Sequence, residues 1–303
     1  MRVFLTGATG FLGSALTARL RAEGHAVTAW VRSFDRARKR LGADVDLVAV
    51  SASFDALAAA VSRADAVVNL AGEPLAGRRW TAARRRAFAT SRVQVTKDLV
   101  RAIAASRARP RVLVSGSAVG WYGDRGDERL TEASSPGDDF LARLCRDWES
   151  AAMAAEGSGV RVVLSRTGVV LGLEGGALAQ MLVPFKLGLG GPIGSGRQFV
   201  PWIHVSDFTA FLATALGDER YRGPINAVAP GEATNRQFVA ALGRAVHRPA
   251  VLPVPAFALR AIFGEGATVL LASQRVEPRG LVDRGFAFAF PDLDRALASI
   301  IPR

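Results

Sequence analysis

Three glycines spaced three residues apart, Gly7, Gly10 and Gly13, follow the apolar run Arg2-Val3-Phe4-Leu5-Thr6 and open a helical pattern at Phe11. No other feature limits the fold of this chain so sharply. A strand that ends in a glycine and turns at once into a helix needs the first Gly for the tight turn. The second lets backbone approach a diphosphate, and the third lets the helix lie close to the strand. The helix start carries unpaired N–H groups and a partial positive charge, so it attracts an anion. Gly7-Ala8-Thr9-Gly10-Phe11-Leu12-Gly13 is therefore the expected phosphate-holding loop of a dinucleotide site. The same glycines without the flanking strand and helix would be an ordinary turn.

The rest of the first half keeps that rhythm. Residues 2–6, 26–31, 45–50, 66–70, 111–115 and 161–165 read as strands, and 12–22 and 54–61 space their apolar residues as crossover helices do. Such alternation predicts an α/β fold, a Rossmann-type doubly wound parallel sheet with helices on both faces. After residue 172 come Gly- and Pro-rich turns, then helical patterns at 207–216, 235–246, 257–263 and 293–300. We expect an NADP(H)-binding domain over 1–172 and a smaller α+β lobe over 173–303, with strands free to interleave. Substrate would lie between them. The glycine-rich stretch 188–196 reads equally as a lid or as a compact ordered loop.

The end of the second strand sets the expected cofactor. An NAD enzyme presents an acidic residue there for the ribose hydroxyls. This chain has Trp30-Val31-Arg32-Ser33 instead, and a guanidinium beside a hydroxyl suits a 2′-phosphate. NADP(H) is the expected cofactor, with Arg32 and Ser33 reading its extra phosphate.

Composition removes several alternatives. The formal charge is +12, but almost every basic residue is Arg, and no aromatic-basic stacking pattern accompanies Arg36-Ala37-Arg38-Lys39-Arg40, Arg78-Arg79 or Arg84-Arg85-Arg86. These read as solvated faces, and no nucleic-acid partner is expected. No apolar run reaches the roughly 18 residues of a membrane helix, and the first residues lack a signal-peptide pattern, so a cytoplasmic protein without a membrane partner is expected. Cys145 stands alone, and His25, His204 and His247 are scattered, which gives neither a disulfide nor metal-ligand spacing. His204, just before Ser206-Asp207, reads as a hydrogen-bonded structural residue at a helix start.

With the glycine loop, Asn69-Leu70-Ala71-Gly72 and Ser115-Gly116-Ser117, the chain resembles the extended short-chain dehydrogenase/reductases. It is most similar to their atypical "epimerase family protein" group, a sugar-nucleotide-epimerase-like set. Trp148-Glu149, Arg166 through Gly172, Pro184 through Gly196 and Trp202-Ile203-His204 carry the likeness, and so does the C-terminal region from Asn226 to Phe286. The resemblance implies that Leu70, Ala71, Gly72 and Ser115 line the cofactor, that Arg92 reaches it from the following helix, and that Val170 closes its nicotinamide side. It also implies a small polar substrate, such as a nucleotide sugar, and allows a homo-oligomer.

One departure matters. The better-known members pair a Tyr acid/base with a Lys four residues later. Here Tyr122 and Tyr221 are followed at that distance by Gly126 and Ile225, and alignment through Trp148-Glu149 puts Leu141 and Cys145 in the Tyr and Lys places. Ser117 and Tyr122 remain as candidate catalytic residues. The expected function is an NADP(H)-dependent oxidoreductase or epimerase-like enzyme. The alternative is a non-catalytic NADP(H)-binding sensor.

Overall fold

In the computed structural model, which describes residues 1–75, 77 and 79–302, β1 (Arg2–Thr6) ends at Gly7 and α1 (Phe11–Ala22) begins just past Gly10. Of the basic clusters, Arg78 lies outside the described residues. The alternation continues with β2 (Ala26–Val31), α2 (Phe34–Leu41), β3 (Asp46–Ala49), α3 (Phe54–Ser62) and β4 (Ala66–Asn69). Helices α4 (Ala82–Ala89) and α5 (Val95–Ala105) are joined by a π-helical turn, Thr90–Gln94, before β5 (Val112–Ala118). Next come β6 (Arg129–Leu130), α6 (Phe140–Met153), β7 (Arg161–Thr167), β8 (Val169–Leu171) and α7 (Gly176–Lys186). They lead to β9 (Trp202–His204), α8 (Val205–Gly217), β10 (Gly223–Ala227), α9 (Asn235–Ala245) and α10 (Ala256–Phe263). The chain finishes with α11 (Thr268–Leu271), β11 (Arg275–Val276), α12 (Arg279–Val282) and α13 (Leu293–Ile300).

Seven strands form one sheet in the order β10-β7-β5-β4-β1-β2-β3, every neighbouring pair parallel. Strand order reverses direction between β1 and β4, and in such sheets ligands bind beyond the strand ends at that reversal. Because side chains alternate across a strand, Val3 and Leu5 join Leu16 and Leu20 of α1 and Phe208 and Phe211 of α8 on one face. Phe4 joins Leu57 and Val61 of α3 and Leu99 and Ile103 of α5 on the other. Each of these large apolar side chains stabilises the sheet by about 1.5–3 kcal/mol.

Strand β10 was hidden in the sequence because Gly223, Pro224 and Asn226 are poor strand formers. It pairs only with β7, and at that edge Pro224 breaks no ladder between two neighbours. A separate apolar cluster buries Leu178, Leu182, Phe185, Phe238, Leu242 and Leu297 around Trp202. The stretch from Gly188 to Gly196 is held by bonds from Leu252 N to Gly190 O, Gly194 N to Val254 O and Val254 N to Pro192 O, at 3.1, 2.9 and 2.9 Å. These bonds hold it against residues 252–254. Among the described residues no helix is long and apolar enough to cross a membrane.

Candidate functional site

The glycine turn is built for close approach. Gly7 has φ +70°, and a Cβ there would stand 2.5 Å from Leu70 O; at Gly13 it would stand 2.2 Å from Gly7 O. Gly10 precedes α1, and no side chain caps that helix, whereas Ser33, Ser53 and Thr81 cap α2, α3 and α4. The first N–H groups of α1 are therefore left for an outside acceptor. Thr9 sits partly exposed inside the turn. The Phe11 ring closes it from the far side against Gly172 and Gly175, where an added Cβ would come within 2.6 and 2.8 Å.

A buried polar chain fixes the strand ends beside this turn. Thr6 Oγ1 donates to Asn69 Oδ1 at 2.6 Å, Asn69 Nδ2 donates to Thr96 Oγ1 at 2.8 Å, and Trp148 Nε1 donates to the same hydroxyl at 3.0 Å. Ala71 N in turn donates to Thr6 Oγ1, which aims Leu70-Ala71-Gly72 past the end of β4. Ser115 is fully buried and belongs to this chain through Asn69 Nδ2, so it supports the site from behind.

A cavity of about 420 Å³ opens at the carboxyl ends of β4, β5 and β7. The structure brings Leu12, Leu70, Ala71, Gly72, Arg92 and Ser117 to its wall. It does not bring Val170 or Tyr122 there. Val170 is buried in the core, and its neighbour Val169 faces the cavity instead. A larger groove of about 790 Å³, lined by Arg111, Arg161 and Arg222, lies at the opposite ends of the strands. Parallel sheets bind ligands at their carboxyl ends, not at these, and Arg161 already donates to the carbonyls of Ala215, Leu216 and Tyr221.

Arg92 lies in the π-helical turn, a departure that often marks functional positions. Its guanidinium donates to Glu73 O at 2.9 Å and lies 5.4 Å from the Trp148 ring. Among the described residues it has no carboxylate partner, although burial lowers its pKa and so disfavours its charge. Ser117 Oγ donates to Glu149 Oε1 at 2.6 Å. Glu149 is clamped by Arg166 through two bonds of 2.9 and 3.0 Å, with both side chains buried. The single Ser117 proton is thereby committed, and its oxygen meets the cavity as an acceptor.

Tyr122 is fully buried behind this pair. Its hydroxyl donates to Asn226 Oδ1 at 2.6 Å and accepts from Arg166 Nη1 at 3.2 Å, and burial pushes its pKa up. Leu141 and Cys145 do face the cavity, and burial pushes the Cys145 thiol up to about 12. At the outer end, Arg32 is 81% exposed and rests 3.4 Å from Glu73, while Ser33 caps α2 by accepting from Arg36 N. His204 lies outside the cavity wall: Nδ1 accepts from Ser206 N at 3.0 Å and caps α8, a task expected of Ser206 or Asp207. Asp207 instead accepts from Ala289 N and Phe290 N.

No motif marks the far wall, which comes from Phe199, Val200, Val269 and Leu270. Arg166 carried a readable signal, a charge at the end of the apolar run Val162-Val163-Leu164, whereas Glu149 sits among Arg146, Asp147 and Ser150 and carried none.

A model of the NAD dependent epimerase/dehydratase family matches residues 3–227, and one described as a domain of unknown function, DUF1731, matches residues 254–300. The epimerase family protein SDR39U1 of Bos taurus is 42% identical, over 99% of this chain and 100% of that one. The crystal structure of human epimerase family protein SDR39U1 (isoform 2) with NADPH is similar at TM-score 0.91 and 40% identity, over 99% of each chain. A nucleoside-diphosphate sugar epimerase from Corynebacterium glutamicum is similar at TM-score 0.78 and 35% identity, over 99% of this chain and 58% of that one.

Proposed function

The chain belongs to the NAD dependent epimerase/dehydratase family, and on that premise we propose that it is an NADP(H)-dependent oxidoreductase of the atypical short-chain type acting on a small molecule. One observation carries the reading: the cavity runs from Leu12 and Leu70 beside the glycine turn to a separate wall formed by the second lobe, which leaves room for a second molecule beside a bound nicotinamide. The pyrophosphate would rest on the turn from Gly7 to Gly13, including Thr9, Phe11 and Leu12. Arg32 and Ser33 would take the 2′-phosphate. Leu70, Ala71, Gly72 and Arg92 would flank the inner half, with Ser115 and Val170 supporting them from behind. When bound, the cofactor supplies a hydride donor or acceptor. That the human relative was crystallised with NADPH supports this choice of cofactor. A nucleotide sugar as substrate has the name of the Corynebacterium relative in its favour.

A second reading, a cofactor-binding protein that senses redox state without turnover, is favoured by what stands in the Tyr and Lys places of the better-known members. Leu141 has no proton to transfer, the Cys145 thiol is pushed up to about 12 and gives up its proton too reluctantly for acid/base work, and the Ser117 proton is engaged. Both readings require NADPH to raise the melting temperature by mass action. Only the first requires oxidation of bound NADPH when carbonyl compounds are offered, with the rate lost in Ser117→Ala. No melting shift with NADPH would overturn both.

A further inference from the structure

We infer that the substrate side of the cavity takes a compact, largely apolar carbonyl compound or the matching alcohol, and that it rejects nucleotide sugars. This deepens the oxidoreductase reading of the same site and rests on it.

The argument is an inventory of what the wall can still offer a ligand. Its polar side chains are mostly engaged inside the protein. The Ser117 hydroxyl donates its hydrogen bond to Glu149. Gln274 Nε2 donates to Val119 O and Gly123 O, both at 3.0 Å. Thr167 Oγ1 donates to Ser165 O at 3.0 Å, and Trp148 Nε1 is tied to Thr96. Asp139 Oδ1 caps α6 by accepting from Ala142 N at 2.8 Å, and Glu73 pairs with Arg32 near the exposed end. What remains among the described residues is the Arg92 guanidinium on the β4 side, the partly exposed Thr268 at the start of α11, and acceptor oxygens of Ser117, Asp139 and Gln274.

The surfaces between these groups are apolar. Leu141 and Leu144 of α6 face one way, and Phe199, Val200, Val269 and Leu270 close the other. A nucleotide sugar would bring two phosphate charges and a ring of hydroxyls into this space. Stripping water from a polar group without returning a hydrogen bond costs about 1–3 kcal/mol each, and far more for a charge. Among the described wall residues, one guanidinium beside the Glu73 and Asp139 carboxylates cannot balance two phosphates. An apolar body loses little and gains by leaving water. Its single oxygen needs one partner, and the wall has few to give.

Saturation-transfer NMR on the wild-type protein, saturated with NADP⁺, tests this with two sets of probes: cyclohexanol and cinnamyl alcohol against UDP-glucose and UDP-glucuronate. The alcohols are expected to bind, and the UDP-sugars are not. Val269→Asp is chosen because Val269 is 39% exposed and tolerates a polar group. It should weaken the alcohols by about tenfold, because the new carboxylate must be desolvated beside them. NADP⁺ affinity, read separately by calorimetry, should stay within about twofold, since Gly7, Gly10 and Arg32, which would hold the cofactor's phosphates, do not line this cavity. Binding of a UDP-sugar, no binding of either alcohol, or equal alcohol binding by the variant overturns the inference while cofactor binding stands. Failure of NADP⁺ itself to bind removes the underlying oxidoreductase reading instead.

Discussion

Replacing Arg166 with Met should be among the most damaging single changes in this protein. Arg166 and Glu149 are 3% and 6% exposed at the side chain, and the pair is bidentate. Arg166 also donates to Tyr122 and to Glu132 O, both at 3.2 Å, and its guanidinium lies 3.9 Å from the Trp121 ring centroid. Removing it leaves the Glu149 carboxylate buried with only the Ser117 hydroxyl. Breaking one half of a buried ion pair costs about 3–5 kcal/mol. For a chain of this size that lowers the melting temperature by about 6–10 °C, at roughly 2 °C per kcal/mol. The double change Glu149→Met with Arg166→Met removes both charges and fills similar volume, so it should cost only about 1–2 kcal/mol. That remainder reflects the hydroxyls of Ser117 and Tyr122, each of which loses a partner. Thermal denaturation at one fixed scan rate compares the three proteins. A double variant no more stable than Arg166→Met would refute the view that an unpaired buried carboxylate dominates the loss.

Three further expectations follow from named contacts. In Gly13→Ala the new Cβ would lie 2.2 Å from Gly7 O, so the turn must move; we expect about 1–3 kcal/mol of destabilisation and loss of NADPH-induced stabilisation, read by melting with and without the nucleotide. His204 caps α8 only when neutral, and burial holds its pKa below the ordinary 6.5, so the unfolded chain takes up a proton that the folded chain refuses. Its contribution is complete above that value and is lost as pH falls below it, so a melting profile from about pH 7 to pH 5 should slope more steeply in the wild type than in His204→Asn, and parallel profiles would count against the cap. Cys145, with its thiol pushed up to about 12 in a buried position, should resist maleimide in the native protein and react in denaturant; prompt stoichiometric labelling of native protein would contradict this.

The fold was legible wherever local chemistry and tertiary context agree. The run from Arg2 to Gly13 carries strand, turn and helix signals in order, and its elements appear within a residue of their expected bounds. β5 and β7 extend to Ala118 and Thr167, beyond the expected 115 and 165, because pairing with each other stabilises residues such as Gly116 and Ser117 that have little strand preference. The glycine turn beside the cleft was equally readable, since its spacing acts over short range. The substrate side was not. Phe199, Val200, Val269 and Leu270 look like ordinary core residues in the sequence, and only the folding of the second lobe over the strand ends puts them opposite Arg92 and Ser117. Tyr122 misled for the converse reason: it follows Ser117 closely in sequence, yet the 3-10 turn Val119–Tyr122 carries it behind the sheet into the Arg166 network.

Calorimetric titration of NADPH and NADH into the wild-type protein and Arg32→Asp tests the central assignment most directly. NADPH should bind the wild type more tightly than NADH by about 10- to 100-fold, the worth of one charged hydrogen-bonding contact of about 1.5–3 kcal/mol. Arg32→Asp should abolish that preference and leave NADH nearly unaffected. An absence of heat with either nucleotide, or an equal loss for both in the variant, would contradict a 2′-phosphorylated dinucleotide bound between the glycine turn and Arg32.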